Sequence, residues 1–87
     1  MSLIARFDGN MNVIGRLLKE YRIKNNMTQK DLSEKAQLYG IDLNKNSLQK
    51  IERGDRVIKE YELAFFSVIF NVSADELLKI CKDEYKK

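Results

Sequence analysis

What most constrains this chain is the spacing of its apolar residues. They recur at intervals of three and four, no stretch alternates at period two, and there is no proline. Spacings of three and four put side chains on one face of a helix, whereas a half-buried strand needs alternation. An all-α fold is therefore expected, and residues suited to helix ends divide the chain into five helices. Asn12 is the N-cap of the first, whose inner face carries Ile14, Leu17, Leu18 and Tyr21. It stops at Asn25 and Asn26, a residue type that tolerates the left-handed conformation of a helix end. Thr28 opens the second, with Asp31 three residues on as an approximate capping box. Leu32, Ala36 and Leu38 are its expected inner stripe, and it ends around Tyr39 and Gly40. After a short Ile41-Asp42-Leu43 connection, Asn44 caps a third helix that runs to Arg53, where Gly54 supplies a terminating glycine. A fourth covers residues 59–70 with a weak start signal and ends at Asn71. Ser73, in a "SADE" capping box, starts a fifth that carries Leu77, Leu78 and Ile80.

Residues 1–11 lack periodicity and read as an N-terminal arm or a vector-derived remnant. Residues 12–80 read as one helical domain and residues 81–87 as a fraying tail. Apolar residues make up 44% and charged residues 33%, the balance of a folded chain rather than a disordered one. No apolar run approaches the about 20 residues of a membrane span, and no apolar segment follows a basic start. Neither span nor signal peptide is expected. Cys81 is the sole cysteine and histidine is absent, so the thiol has no disulfide partner, base or co-ligand and reads as filler. It suits a reducing cytosol. Glycine-rich phosphate loops and metal-ligand spacings are missing too. The expectation is a protein that is not an enzyme, with no catalytic residue, metal, cofactor or evident small-molecule ligand.

Charge is modest in total and uneven in place. Residues 44–59 hold Lys45, Lys50, Arg53, Arg56 and Lys59 against Glu52 and Asp55, a net charge equal to the +3 of the whole chain. Arg16, Lys19, Arg22 and Lys24 add to it. A basic middle on a near-neutral chain points to a polyanion met by one face, although a solvated lysine-rich surface has the same composition. The third helix sharpens the choice. At about 100° per residue, Lys45, Gln49, Arg53, Asn46 and Lys50 share one arc, while Ser47, Leu48 and Ile51 take the opposite one. Lysine, arginine, asparagine and glutamine are the side chains that match base edges in the major groove of duplex DNA. Glu52 falls beside Leu48 at the edge of the buried stripe, where an unpaired carboxylate is costly. Arg22, one turn beyond Leu18, sits at the edge of the first helix's stripe. An Arg22–Glu52 ion pair is the expected solution.

The string "RLLKEYRIKNNMTQKDLSEKAQLYGIDLNKNSLQKIERGDR", followed by "EL" and "FNVSADELL", resembles the Cro/C1-type, or Xre-family, helix-turn-helix domain over about residues 12–78. "TQKDLSEKA", "SLQKIERG" and "VSADELL" carry the likeness most specifically. The resemblance implies a compact, lambda-repressor-like bundle of five helices in which helices two and three form the helix-turn-helix. It also implies base contacts from Lys45, Asn46, Gln49 and Lys50, phosphate contacts from Gln29, Arg53 and Arg56, and a structural role for the Arg22–Glu52 pair. Four departures stand out. The connection "QLYGIDLNKN" is about four residues longer than the usual tight turn, which resembles a subset of the family with "GID" there. Ser33 and Ser67 replace small apolar residues and are expected to bond back to a carbonyl of the preceding turn. The loop after Gly54 lacks a frequent proline. Asn71 replaces a frequent glycine.

The functional expectation is a sequence-specific regulator that binds double-stranded DNA, a repressor, cytoplasmic and of bacterial or phage origin. The different-class alternative is an antitoxin or adaptor that uses the same fold to bind another protein. A two-fold symmetric operator and a homodimer, at least on DNA, follow from the family resemblance, with half-sites about 34–36 Å apart. Tyr61, Phe65 and Val68, continued by Val72, form a second apolar stripe on helix four. It reads either as a dimer interface or as the second buried side of a central helix.

Overall fold

The structure, a computed structural model, describes residues 9–86. Among them are five helices and no strand: α1 (Gly15–Lys24), α2 (Gln29–Leu38), α3 (Lys45–Arg53), α4 (Glu60–Ile69) and α5 (Ala74–Tyr85). No described helix is long and apolar enough to cross a membrane. Residues 1–8 of the arm read at the N-terminus lie outside the described residues.

Four helix starts are set by side chains that accept the orphan N–H groups of a first turn. The Thr28 hydroxyl accepts from the Asp31 N–H at 3.0 Å and the Asp31 carboxylate accepts from the Thr28 N–H at 2.9 Å, a complete capping box. That bonding holds the Asp31 carboxyl below its ordinary range. Asn44 Oδ1 accepts from the Ser47 N–H at 2.8 Å, and Ser73 Oγ from the Glu76 N–H at 3.1 Å. At α4 the weak signal resolves into Glu62, whose carboxylate accepts the Lys59 N–H at 2.9 Å. The first helix differs from expectation. It begins at Gly15 rather than near Asn12, because the Asn12 amide reaches across the molecule and holds its own backbone out of the helix, while Oδ1 still accepts the Gly15 N–H at 2.7 Å.

Terminations rest on left-handed residues. Asn26 (φ 57°), Gly40 (φ 74°), Gly54 (φ 81°) and Asn71 (φ 52°) follow α1, α2, α3 and α4. This is the conformation for which glycine and asparagine are least penalised. The Asp55 N–H then returns to the Lys50 carbonyl at 2.8 Å, and the Val72 N–H to the Ser67 carbonyl at 3.0 Å. Ser33 and Ser67 do not bond back within their helices. Ser33 Oγ donates to the Leu43 carbonyl at 2.7 Å and Ser67 Oγ to the Val72 carbonyl at 2.5 Å, so each ties its helix to the connection that follows. With Leu43 buried, the longer turn before α3 is anchored to the core.

The core gathers Ile14 and Leu18 from the α1 end, Leu32 and Ala36 from α2, Leu48 and Ile51 from α3, Phe65, Phe66 and Phe70 from α4 and Leu77 from α5. Tyr21 stacks on Phe70 at 5.8 Å between ring centroids, and Phe70 on Phe66 at 6.2 Å. Leu38 is not in the inner stripe; it is 82% exposed. Ala36 lies about 40° from Leu32 around the helix, but Leu38 lies about 240° away, on the far side. α5 continues through Tyr85, into the segment read as a fraying tail, with a Lys82–Asp75 bond of 2.7 Å on its surface. α3 packs against both α1 and α2, which leaves its remaining face to solvent.

Candidate nucleic-acid interface

α3 turns Leu48 and Ile51 into the core and leaves Lys45, Asn46, Gln49, Lys50 and Arg53 exposed on the opposite arc. Among the described residues, no side-chain hydrogen bond or ion pair engages Lys45, Asn46, Gln49 or Lys50. Arg53 meets only the neighbouring, equally exposed Asp55 at 3.2 Å. Surface pairs of that kind hold little energy, so Arg53 is readily redirected to a stronger anion. The face is thus basic and rich in donors, and most of its side chains are uncommitted.

Beneath it the end of α3 is bolted to α1 and α2. Arg22 Nε donates to Glu52 Oε2 at 2.7 Å and Nη2 to Oε1 at 3.0 Å, a two-point guanidinium–carboxylate contact. Arg22 Nη1 donates to the Met27 carbonyl at 2.8 Å. Gln29, expected at a phosphate, has its Nε2 on Glu52 Oε1 at 3.1 Å and so joins the same network at the start of α2. Both charges are nearly covered, and no buried side-chain polar atom among the described residues lacks a partner. A buried pair is tolerable on those terms.

Arg56, also expected at a phosphate, is partly buried and tied back to the protein. Its Nη1 and Nη2 each donate to a Glu62 oxygen at 2.8 Å, and Nη1 also reaches the Val57 carbonyl at 3.0 Å. Burial pushes the Glu62 carboxyl up, but the bonds from Arg56 and the Lys59 N–H, with both cations nearby, bring it below its ordinary value. The same hydrogen bonding raises Arg56 further. The stripe of Tyr61, Phe65 and Val68 does not survive as one surface. Phe65 is 3% exposed and lies edge-on to Tyr39 at 5.7 Å, whereas Tyr61 and Val68 are 52% and 62% exposed. The reason is rotational: the buried arc of α4 runs from Phe65 through Glu62 and Phe66 to Phe70, and Phe65 is its edge.

Residues that periodicity did not single out complete the setting. A Cβ on Gly15 would overlap the Ile51 carbonyl oxygen, so α1 meets α3 backbone to backbone at that point. Asn12 Nδ2 donates to that carbonyl at 3.0 Å and to the Arg56 carbonyl at 2.8 Å. A glycine in the first turn of an otherwise apolar-periodic helix was the one available signal. No group of metal-ligating side chains occurs among the described residues.

Residues 15–80 match a family described as a helix-turn-helix domain. No curated protein and no solved structure matches the chain.

Proposed function

The chain belongs to the helix-turn-helix domain family, a family of DNA-binding regulators, and from that premise we propose that it is a sequence-specific transcriptional repressor of Cro/C1 type. α3 enters the major groove of double-stranded DNA, with Lys45, Asn46, Gln49 and Lys50 on base edges. Arg53 serves the flanking backbone through its charge, and Gln29, at the start of α2, through the second hydrogen of the amide nitrogen whose other hydrogen is on Glu52. Arg56 is left out of the interface because Glu62 holds its terminal nitrogens. The observation that supports this reading best is the exposed arc of α3, where Lys45, Asn46, Gln49 and Lys50 make no side-chain bond among the described residues. In a structure where even the buried charges are paired, a donor-rich face left open is suited to an outside ligand. One domain makes few phosphate contacts, so two copies on a two-fold symmetric operator are part of the proposal. The setting is the cytoplasm, for a protein of bacterial or phage origin.

Selection of binding sites from random duplexes tests it, since the motif returned also gives half-site number and spacing. On the selected site, Lys45→Ala and Asn46→Ala are each expected to cost about 1–3 kcal/mol and to relax preference at one position. Arg53→Ala is expected to weaken all duplexes alike and to reduce the salt slope by about one unit per domain. Uniform loss in all three variants would sink the assigned readout.

A further inference from the structure

The chain just before α1 is attached to the last turn of α3 and the loop beyond it. The Met11 N–H donates to the Gly54 carbonyl at 2.8 Å. One amide, Asn12 Nδ2, joins the Ile51 carbonyl inside that turn to the Arg56 carbonyl past it, while Oδ1 is fixed by the Gly15 N–H. Gly15 lies flat on the Ile51 carbonyl. Toward the other end of α1, about 10 Å from Gly15 along its axis, Arg22 grips the neighbouring residue Glu52 by its carboxylate. α1 therefore holds one turn of α3 by its backbone and by a side chain, at two separate points. Two such attachments resist rolling of α3 about its own axis as well as swinging. Roll matters because one residue of slip turns the exposed arc by about 100°, and a hydrogen bond to a base edge tolerates only a few tenths of an ångström.

We propose that Asn12 is a positioning residue for DNA reading: its amide bridges the Ile51 and Arg56 carbonyls and sets the roll at which α3 presents Lys45, Asn46 and Lys50. This rests on α3 being the base-contacting helix. Asn12 itself touches no DNA.

Asn12→Asp in the full chain keeps the side chain's shape and the acceptor for Gly15 but removes both donated hydrogens. Asn25→Asp is the control. It makes the same charge change and removes a bond of 2.7 Å to the Tyr21 carbonyl at an exposed helix end. Fluorescence anisotropy gives the ratio of affinities for the selected duplex and a scrambled one. Residual dipolar couplings give the orientation of α3 relative to α1. With helix content unchanged, Asn12→Asp is expected to lower the ratio about tenfold against Asn25→Asp, the equivalent of one or two lost hydrogen bonds, and to reorient the α3 couplings. Equal ratios in the two variants overturn the proposal. If Asn12→Asp fails to fold, the neutral Asn12→Ser, too short to bridge both carbonyls, takes its place. A wild-type ratio in folded Asn12→Ser overturns the proposal, as does unfolding of that variant too, which makes Asn12 a stability residue only. If the wild-type chain itself shows no duplex preference, the DNA-reading function fails separately. The couplings then decide alone, and an unmoved α3 rejects the brace.

Discussion

The carboxylate of Glu62 is 1% exposed, and Arg56 is the cation that makes that position tolerable. Removing one partner of such a pair leaves an uncompensated buried charge, at about 3–5 kcal/mol, while replacing both by apolar residues is often close to neutral. Arg56→Ala is therefore expected to lower the thermal midpoint sharply and Arg56→Met/Glu62→Leu far less, as calorimetry at neutral pH will show. Any loss of DNA affinity in Arg56→Ala should follow its unfolded fraction. The pH dependence has a definite sign. Because the folded state holds the Glu62 carboxyl below its ordinary value of 4.5, its contribution is present above that pH and is lost as pH falls through the lower folded value. Glu62→Gln should flatten the acid limb of a stability–pH curve; an unchanged limb assigns acid lability elsewhere. The two ion pairs differed in legibility. Arg22 and Glu52 each flank an apolar stripe on a helix, so periodicity alone brought them to the same boundary. Arg56 sits in a loop, where no period assigns a direction, and only the fold shows that it turns inward.

Among the elements, helix ends were the most legible feature because a cap is a local bargain between one side chain and the next turn. Thr28, Asn44 and Ser73 all cap as their neighbours imply, and Asn26 and Asn71 take the left-handed conformation. Where a long-range bond competes, the local rule yields. α1 starts late because Asn12 has carbonyl partners about forty positions away, at separations of 39 and 44 residues. Gly15 makes the same point energetically. In a free helix, glycine to alanine gains about 0.5–1 kcal/mol. Here the new methyl would overlap the Ile51 carbonyl, and overpacking costs about 1–3 kcal/mol. Gly15→Ala should therefore destabilise the protein, and a raised midpoint in thermal unfolding would refute the close approach of α1 to α3. Leu38 failed as a core residue for a simple reason of angle, and α5 continues to Tyr85 through a charged segment with Leu77 as its buried anchor.

For the whole molecule, the question is which surfaces are left over once the core is filled. α3 gives up one face to α1 and α2 and keeps the basic one. α4 leaves Tyr61 and Val68 outside, seven residues apart and so on one side of the helix. With Phe65 in the core, these two are the test of the proposed homodimer. Tyr61→Asp/Val68→Asp should shift sedimentation equilibrium toward monomer and remove cooperative binding to a two-half-site duplex. If the mass and the cooperativity both stay as in the wild type, the dimer contact is on another surface.

Periodicity and capping chemistry were enough to determine five helices, their order, the polar arc of α3 and the places of Arg22 and Glu52 at the edges of their own apolar stripes, because each depends on residues within a turn or two of one another. Only the tertiary structure decided which side of α4 is buried, that Arg56 serves Glu62, and that Asn12 and Gly15 set the end of α3. Those outcomes depend on contacts between segments far apart in the chain, and they are settled by the shape of the space left when five helices share one small core.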